Sequence, residues 1–483
     1  MTTEPGVTAK TAGGSALPAE PGPWRLVLLC GVQLLMLLDF SIVNVALPQI
    51  EESLGFSPGG VQWVVSIYAL AFGGLLLLGG RLSDLLGRRR MLLVGLGVFT
   101  AASLVGGLAG NPGLLVAMRA LQGAGAALIG PAVLSLITTG TPPGPARNKA
   151  LGWFSAASAS GFAIGVLAGG LLTQFADWRA VFFVNVPLAG FAMVAALRLI
   201  AADAPATGPR HYDVPGAVLS TVGVSGLIFG LSSLESDGTA APWGIAVGVV
   251  ALAGFLVVEA RTANPLVPLG VFRFRSVSMA NLGALLVPGV MGAVALTLSL
   301  FLQQVQGRDA LETGLIFLTL GLAVIVAGPL AAAAVTRLGP KAVCVAGALA
   351  VSGGVFVLSR ISADSSYAAV LLPGLALTGI GFSAFFTAST ITATMEVPGE
   401  QQGLAGALLN TSVQFGTALC VVLLIAIAER DSGSGKAVTT AVHAENYGTA
   451  FAVGAAIALG TALLLTVALP GARRSKSAEP QAT

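Results

Sequence analysis

The sequence predicts an all-α polytopic membrane protein of about fourteen transmembrane helices, arranged as two six-helix bundles with a pair of helices inserted between them. Three observations predict it. Only 9% of the 483 residues are charged and 55% are hydrophobic, with a mean hydropathy of +0.89. Soluble domains carry about 25% charged residues, so lipid must be the solvent for most of this chain. Apolar runs of about 20 residues, each long enough to span a bilayer, follow one another to the end. Short features also recur at nearly one offset, 252 to 256 residues.

The apolar runs lie near 26–47, 61–80, 91–110, 114–137, 151–172, 180–200, 214–233, 243–259, 278–302, 311–333, 341–359, 368–392, 402–428 and 447–469. The first is too long, and too interrupted by Asp39, for a signal-peptide core, so it is expected to persist as a helix. The 64 glycines suit helices that approach closely in a membrane. A net charge of +3, with the charges scattered, excludes a nucleic-acid surface. Cys30, Cys344 and Cys420 sit inside apolar runs, too sparse for a disulfide framework and far from anything resembling a metal site.

Loop charge gives the orientation. Arg88 to Arg90, Arg147 and Lys149, Arg210, Arg261, Arg273 and Arg275, Arg337 and Lys341, and Arg473, Arg474 and Lys476 occupy one set of loops. Glu51 and Glu52, Asp177, Glu235 and Asp237, and Asp364 occupy the alternate set. The basic set is expected to be cytoplasmic, and an even helix count puts both termini there.

The repeat divides the chain. Gly87-Arg88-Arg89 is echoed by Gly339-Pro340-Lys341, Pro145 to Leu151 by Pro398 to Leu404, and Leu121 to Gly125 by Leu377 to Gly381. The expected division is a disordered tail over 1–24, a six-helix bundle over 25–200, the inserted pair over 201–263, a second bundle over 264–470 and a tail over 471–483. The echoes fail at charged positions: Asp39 maps to Met291, Asp84 to Thr336 and Arg119 to Leu375. The first bundle is therefore expected to handle a proton or ion, and the second to shape a substrate cavity.

Asp39 lies about 18–20 Å from the cytoplasmic end of its run at ~1.5 Å per residue, inside the hydrocarbon. A carboxylate there needs a partner, a wet cavity or a proton. By the same arithmetic it is ~12 Å below the outer edge and Arg119 ~9 Å below it, so the two opposite charges can pair. Separating them changes the proton affinity of Asp39, which is what coupling proton entry to a conformational change requires. The alternative is a static buried ion pair. Gly80, Asp84, Gly87 and Arg88 mark a tight basic-side loop whose charges can lock one conformation. Gly161, Gly165 and Gly169, with Gly170 beside them, have the spacing for close helix approach.

These stretches resemble the major facilitator superfamily, and within it the fourteen-helix drug:proton antiporters, over nearly the whole chain outside the tails. Leu38 to Pro48 resembles that family's first-helix signature, Gln62 to Tyr68 the start of its second helix, and Gly80 to Arg90 the superfamily loop motif. Arg119 to Gly125 is similar to the fourth-helix motif tied to proton transfer, Gly161 to Gly170 to the antiporter motif, and Trp178 to Pro187 to the start of the sixth helix. The resemblance implies a major facilitator fold. It implies proton-coupled efflux of a small amphiphilic drug or antibiotic across the bacterial cytoplasmic membrane by alternating access. No cofactor is implied beyond the proton gradient, and the chain is expected to act as a monomer. Val166 stands where the antiporter motif usually has Pro, and Thr336 replaces the acid of the second loop copy, making any charge lock one-sided.

Substrate candidates follow from placement. Trp63, Tyr68, Phe382, Phe385 and Phe386 offer aromatic walls, and Asn281, Gln303, Gln304, Asn410 and Gln414 offer polar contacts. Only Asp39 is a deep acid; Glu235, Glu259, Asp309, Glu312 and Glu396 fall near helix ends. That favours neutral, zwitterionic or monocationic amphiphiles over dications. Among rivals, an ATP-driven pump is opposed because Gly433 to Lys436 lacks the rest of a phosphate loop. A membrane enzyme is opposed because the only histidines, His211 and His443, fall on opposite sides. A non-coupled facilitator or metabolite transporter on the same fold is the serious alternative. A sensor or structural protein leaves the paired charges without a purpose.

Overall fold

Proline and glycine punctuate the apolar runs as helix starts and turns require. Pro23, Pro112, Pro145 and Pro340 stand at the first helical positions, where a missing N–H costs nothing. Gly55, Gly87, Gly144 and Gly339 take positive φ at the turns between helices. The computed structural model describes residues 22–56, 60–61, 63–203, 213–236, 240–262, 265–308, 310–363, 365–398, 401–428, 430 and 440–469. Residues 1–21 of the N-terminal tail, the C-terminal tail, Gln62, Arg210, His211, Asp237, Asp309, Asp364, the Gly433 to Lys436 run and the side chains of Glu235 and His443 lie outside the described residues; Pro23 and Trp24, expected in the tail, begin α1.

The chain is all-helical: α1 Pro23–Leu54, α2 Trp63–Leu86, α3 Arg88–Gly107, α4 Pro112–Gly140, α5 Pro145–Phe175, α6 Ala180–Phe183, α7 Asn185–Leu199, α8 Val214–Ser236, α9 Ala241–Arg261, α10 Arg275–Leu300, α11 Ala310–Leu338, α12 Pro340–Leu358, α13 Leu372–Met395, α14 Gln402–Ala428 and α15 Thr440–Ala468. Thirteen spans among the described residues are long and apolar enough to cross a bilayer, with α6 and α7 forming one of them. At 31 residues, α5 is long enough to be a further span, ~46 Å at 1.5 Å per residue. It runs unbroken through Val166. Many helices outlast their apolar runs, as α1 does at both ends, because hydropathy marks only the part inside hydrocarbon.

The sixth span is broken at Val184. Pro187 has no N–H to give the preceding turn and its ring crowds the carbonyl of Phe183, so the helix restarts at Asn185. Single π-helical turns extend α10 over Phe301–Val305 and precede α13 over Tyr367–Leu371.

In the first bundle α1 packs on α5, α4 on both α2 and α3, and α3 on α7. In the second, α10 packs on α14, α13 on α11 and α12, and α15 on α12. The bundles meet where α2 lies on α14 and α5 on α11. Helices α8 and α9 pair with each other, and α8 rests on α2 and α14. The inserted pair is central in sequence but flanks the seam in space.

Both α4 and α13 change character along their length. From Gln122 to Thr138 all of α4 is buried except the half-buried Ala124 and Leu128, and α13 is buried from Phe385 to Thr394. These are the halves nearest the arginine-bearing loops, the basic side. Toward the other side, Ala117 and Leu121 on α4 and Leu377 and Ile380 on α13 are exposed. The two bundles therefore close against each other on the basic side.

Candidate functional site: a buried charge network and an inter-bundle latch

Asp39 and Arg119 are both 0% exposed, and their side chains meet at 2.8 Å between Oδ2 and Nη1. Asp39 projects from the middle of α1, and Arg119 from the second turn of α4. The second Asp39 oxygen accepts hydrogen bonds from Asn185 Nδ2 at 2.6 Å and Gln122 Nε2 at 3.3 Å. Gln122 is braced in turn, donating to Ser103 Oγ at 2.8 Å and accepting from Arg119 Nη1 at 3.1 Å. Arg119 Nε donates to the Val64 carbonyl at 2.9 Å, and the guanidinium lies over the Tyr68 ring at 4.3 Å. Every group around Asp39 donates to it, which is the reception an ionised carboxylate requires.

The satisfaction is incomplete. Arg119 Nη2 and Asn185 Oδ1 are buried without a partner. Unpaired polar atoms in a hydrocarbon-like interior are costly, so the network is poised and not minimal.

Five helices build the site, and Asn185, Gln122 and Ser103 are its unforeseen members. The break at Pro187 starts α7 at Asn185, whose amide turns inward to Asp39. Gln122 stands three residues beyond Arg119, on the same face of α4. Both carry a readable signal, an amide inside an otherwise apolar run. Tyr68, expected on a cavity wall, is 2% exposed and caps Arg119 instead, because the aromatic face is needed against the buried cation.

The glycine stripe of α5 seats α1 around this centre. A Cβ on Gly161 would lie 2.6 Å from the Leu34 carbonyl, one on Gly165 2.6 Å from that of Leu38, and one on Gly169 2.7 Å from that of Ile42. Gly170 is different: nothing lies within 4 Å of its Cβ position, so it faces away from the contact.

The loop motif forms a latch, though its partner differs from the expected arginine cluster. Asp84 accepts from the backbone N–H groups of Gly403 at 3.2 Å and Leu404 at 3.0 Å, capping α14 of the opposite bundle. Arg88 stands 3.9 Å away. Gly80 lets the helices close: a Cβ there would sit 2.8 Å from the Gly403 carbonyl. Gly87 has φ 108° and leaves room for Asp203, which accepts from Arg89 N at 3.1 Å and Arg90 N at 2.9 Å at the start of α3. At the pseudo-equivalent seam, Asn148 of α5 donates to Thr336 of α11 at 3.1 Å. The charge is one-sided, as the loss of the second acid implies, but a neutral hydrogen bond spans the other seam.

The other candidate cavity residues are dispersed. Trp63 is 40% exposed and stacks on Phe229 of α8 at 5.6 Å. Gln303 and Gln304 are exposed on the π-turn after α10, where Gln303 donates to Ser299 and Gln304 accepts from Tyr447. Phe382 stacks on Phe386 at 5.7 Å. Asn410 donates to the Gly406 carbonyl of its own helix, and the Gln414 Cβ lies 3.8 Å from the Cβ position of Gly73 on α2. They do not converge on one pocket.

Comparison with known proteins adds to this geometry. The family model described as Major Facilitator Superfamily matches residues 29–303 and 280–483. The chain is 38% identical to the puromycin resistance protein pur8 of Streptomyces alboniger, over 94% of each chain. It is 39% identical to the cephamycin export protein CmcT of Amycolatopsis lactamdurans, over 93% of each. The crystal structure of the human organic anion transporter MFSD10 superposes with a TM-score of 0.65 at 17% identity, over 92% of this chain and 99% of that one, a likeness of fold alone.

Proposed function

The chain belongs to the major facilitator superfamily, and from that premise we propose that it is a proton-coupled exporter of a small amphiphilic drug or antibiotic. It is a membrane transporter and not an enzyme, related to proteins whose names record antibiotic resistance and export. The observation that carries the coupled reading is the Asp39–Arg119 pair, sealed at 0% exposure and met by donors on every side. A proton arriving at Asp39 removes the counter-charge of a buried guanidinium. The resulting uncompensated cation destabilises the arrangement by several kcal/mol, enough to shift a conformational equilibrium. Release of the proton restores it. The role of Arg119 is to make protonation of Asp39 conformationally consequential, and Gln122 and Asn185 hold the carboxylate in place.

In this reading the basic loops face the cytoplasm of a bacterial cell, both termini lie there, and the protein works as a monomer in the cytoplasmic membrane. Residues 25–200 and 264–470 act as the two bundles, with 201–263 inserted. The closed basic side then makes the structure outward-facing, with Gly80, Asp84, Gly87 and Arg88 forming the part of the gate that must open to admit substrate. The residues at Trp63, Gln303, Gln304, Phe382, Asn410 and Gln414 contact substrate in turn along the path.

Reconstituted proteoliposomes test this. An imposed pH gradient is expected to drive movement of a monocationic or zwitterionic antibiotic with counterflow of protons, and Asp39→Asn is expected to abolish the gradient's effect. Equal flux with and without the gradient would make the protein a facilitator.

A further inference from the structure

The second bundle lacks the buried charges of the first, and it lacks a third residue along with them. At the offset of 252 that relates Gly87 to Gly339, Tyr68 of α2 corresponds to Leu320 of α11. The two backbones make the same contact. A Cβ on Gly123 of α4 would lie 2.4 Å from the Tyr68 carbonyl, and one on Gly379 of α13 would lie 2.8 Å from that of Leu320. Both side chains are buried, at 2% and 4% exposure. A leucine therefore satisfies the packing of this helix crossing. What the second crossing does not hold is a guanidinium, since Leu375 stands at the position of Arg119. Aromatic ring and buried cation are present together in one bundle and absent together in the other.

The contacts of Arg119 show what the ring adds. Besides Asp39 it has three neutral partners: the Val64 carbonyl at 2.9 Å, Gln122 Oε1 at 3.1 Å and the Tyr68 ring at 4.3 Å. The ring is flanked by Phe40 and Phe72, with centroids 6.0 Å and 6.2 Å away. Among the described residues, the charged and titratable groups facing this centre are Asp39 of α1, Tyr68 of α2 and Arg119 of α4. Helices α3 and α7 turn the neutral Ser103 and Asn185 to it, and α5 presents glycines to α1.

The ring does not serve both protonation states equally. With Asp39 ionised, the ring face meets a matched pair, and attraction to the guanidinium is partly offset by repulsion from the carboxylate. With a proton on Asp39, the same face meets an unmatched, desolvated cation, where such a contact is strongest. The ring therefore stabilises the proton-bound arrangement more than the proton-free one.

We propose that Tyr68 is a positioning residue for proton coupling. Its ring face lowers, without abolishing, the cost of leaving Arg119 uncompensated, and so sets the pH at which Asp39 takes up its proton. The inference rests on the proton-coupled reading and adds to it the side chain that tunes the coupling. The contact is with the ring face, which phenylalanine shares and leucine lacks.

The test is an infrared titration of the full-length protein in phosphatidylcholine membranes. It reads the carbonyl stretch of the protonated carboxyl that disappears in Asp39→Asn. Tyr68→Leu, which copies the second bundle, is expected to move the midpoint to lower pH by about one unit. Tyr68→Phe keeps the face and is expected to titrate as the parent does. Where Tyr68→Leu does not yield monodisperse protein, ring-trifluorinated phenylalanine at position 68 decides the matter. It keeps the shape of phenylalanine and withdraws negative charge from the face, so its midpoint is expected below that of Tyr68→Phe. A side chain that only packs would change stability and leave the midpoints alone. Equal midpoints for Tyr68→Phe and either face-weakened variant would overturn the proposal while the proton-coupled reading stands. A parent in which the Asp39 band does not respond to pH would overturn that reading, and this inference with it.

Discussion

The centres of the two bundles occupy corresponding positions and are filled in opposite ways. In the first, Asp39, Arg119, Gln122, Asn185 and Ser103 form a continuous hydrogen-bonded network. In the second, the positions of Asp39 and Arg119 hold Met291 and Leu375, packed into a core with Val351, Val355, Phe301 and Phe451. The same architecture thus assembles around hydrocarbon. Buried ion pairs are often no better for stability than apolar residues of similar volume. The pair in the first bundle is therefore not what the fold needs, and its presence there calls for a purpose beyond folding.

The largest expected effect breaks that contrast directly. Arg119→Leu leaves Asp39 buried without its counter-charge, and is expected to destabilise the first bundle by about 3–5 kcal/mol. Adding Asp39→Met, so that the first bundle copies the second, is expected to recover most of that loss while leaving no proton-coupled exchange. Thermal unfolding in detergent together with proteoliposome flux reads both. A double variant as unstable as the single one would make the pair architectural, and the comparison would lose its force.

The two seams sharpen it at smaller scale. Asp84 spans one with a charge on a helix N-terminus, and Asn148 spans the other with a neutral hydrogen bond. Asp84→Ala is expected to weaken closure by about 1–2 kcal/mol, and Asn148→Ala by about 0.5–1.5 kcal/mol. Distances between spin labels on the basic ends of α2 and α14, and of α5 and α11, measure the open population. More opening from Asn148→Ala than from Asp84→Ala would reverse the ranking.

The legible parts of this molecule were the ones that violate the membrane's rules. Asp39 and Arg119 stand out because charge in an apolar run is expensive, and rise per residue already puts them at one depth. Gln122 and Asn185 were not legible as members of the same site. An amide costs less in a helix, and only the α6–α7 break and the packing of α3, α4 and α7 bring the two to Asp39. Tyr68 was misplaced because an aromatic ring that covers a cation and one that lines a cavity leave the same mark in a helix sequence. Glu259 reads as an ordinary helix-end acid, yet the return of the chain through Leu266 and Val267 buries it. The cavity residues of the second bundle could not be ordered at all, since hydroxyls, amides and phenylalanines occur all around its helices.

The glycines of α5 offer the finest division, between positions five residues apart on one helix. A methyl group at Gly165 would meet the Leu38 carbonyl, next to Asp39 itself, so Gly165→Ala must push α1 away from α5. Overpacking of this kind costs about 1–3 kcal/mol, and here it also displaces the carboxylate that three donors hold. Gly170→Ala adds its methyl group to open space and relieves the helix of a glycine, a change worth about 0.5–1 kcal/mol in its favour. Thermal stability and gradient-driven exchange should therefore both fall for Gly165→Ala, while Gly170→Ala keeps exchange and melts no lower than the parent. If Gly165→Ala exchanged normally despite a lower melting temperature, the α1–α5 contact would serve stability alone, and the position of Asp39 would tolerate more freedom than the short hydrogen bond from Asn185 implies.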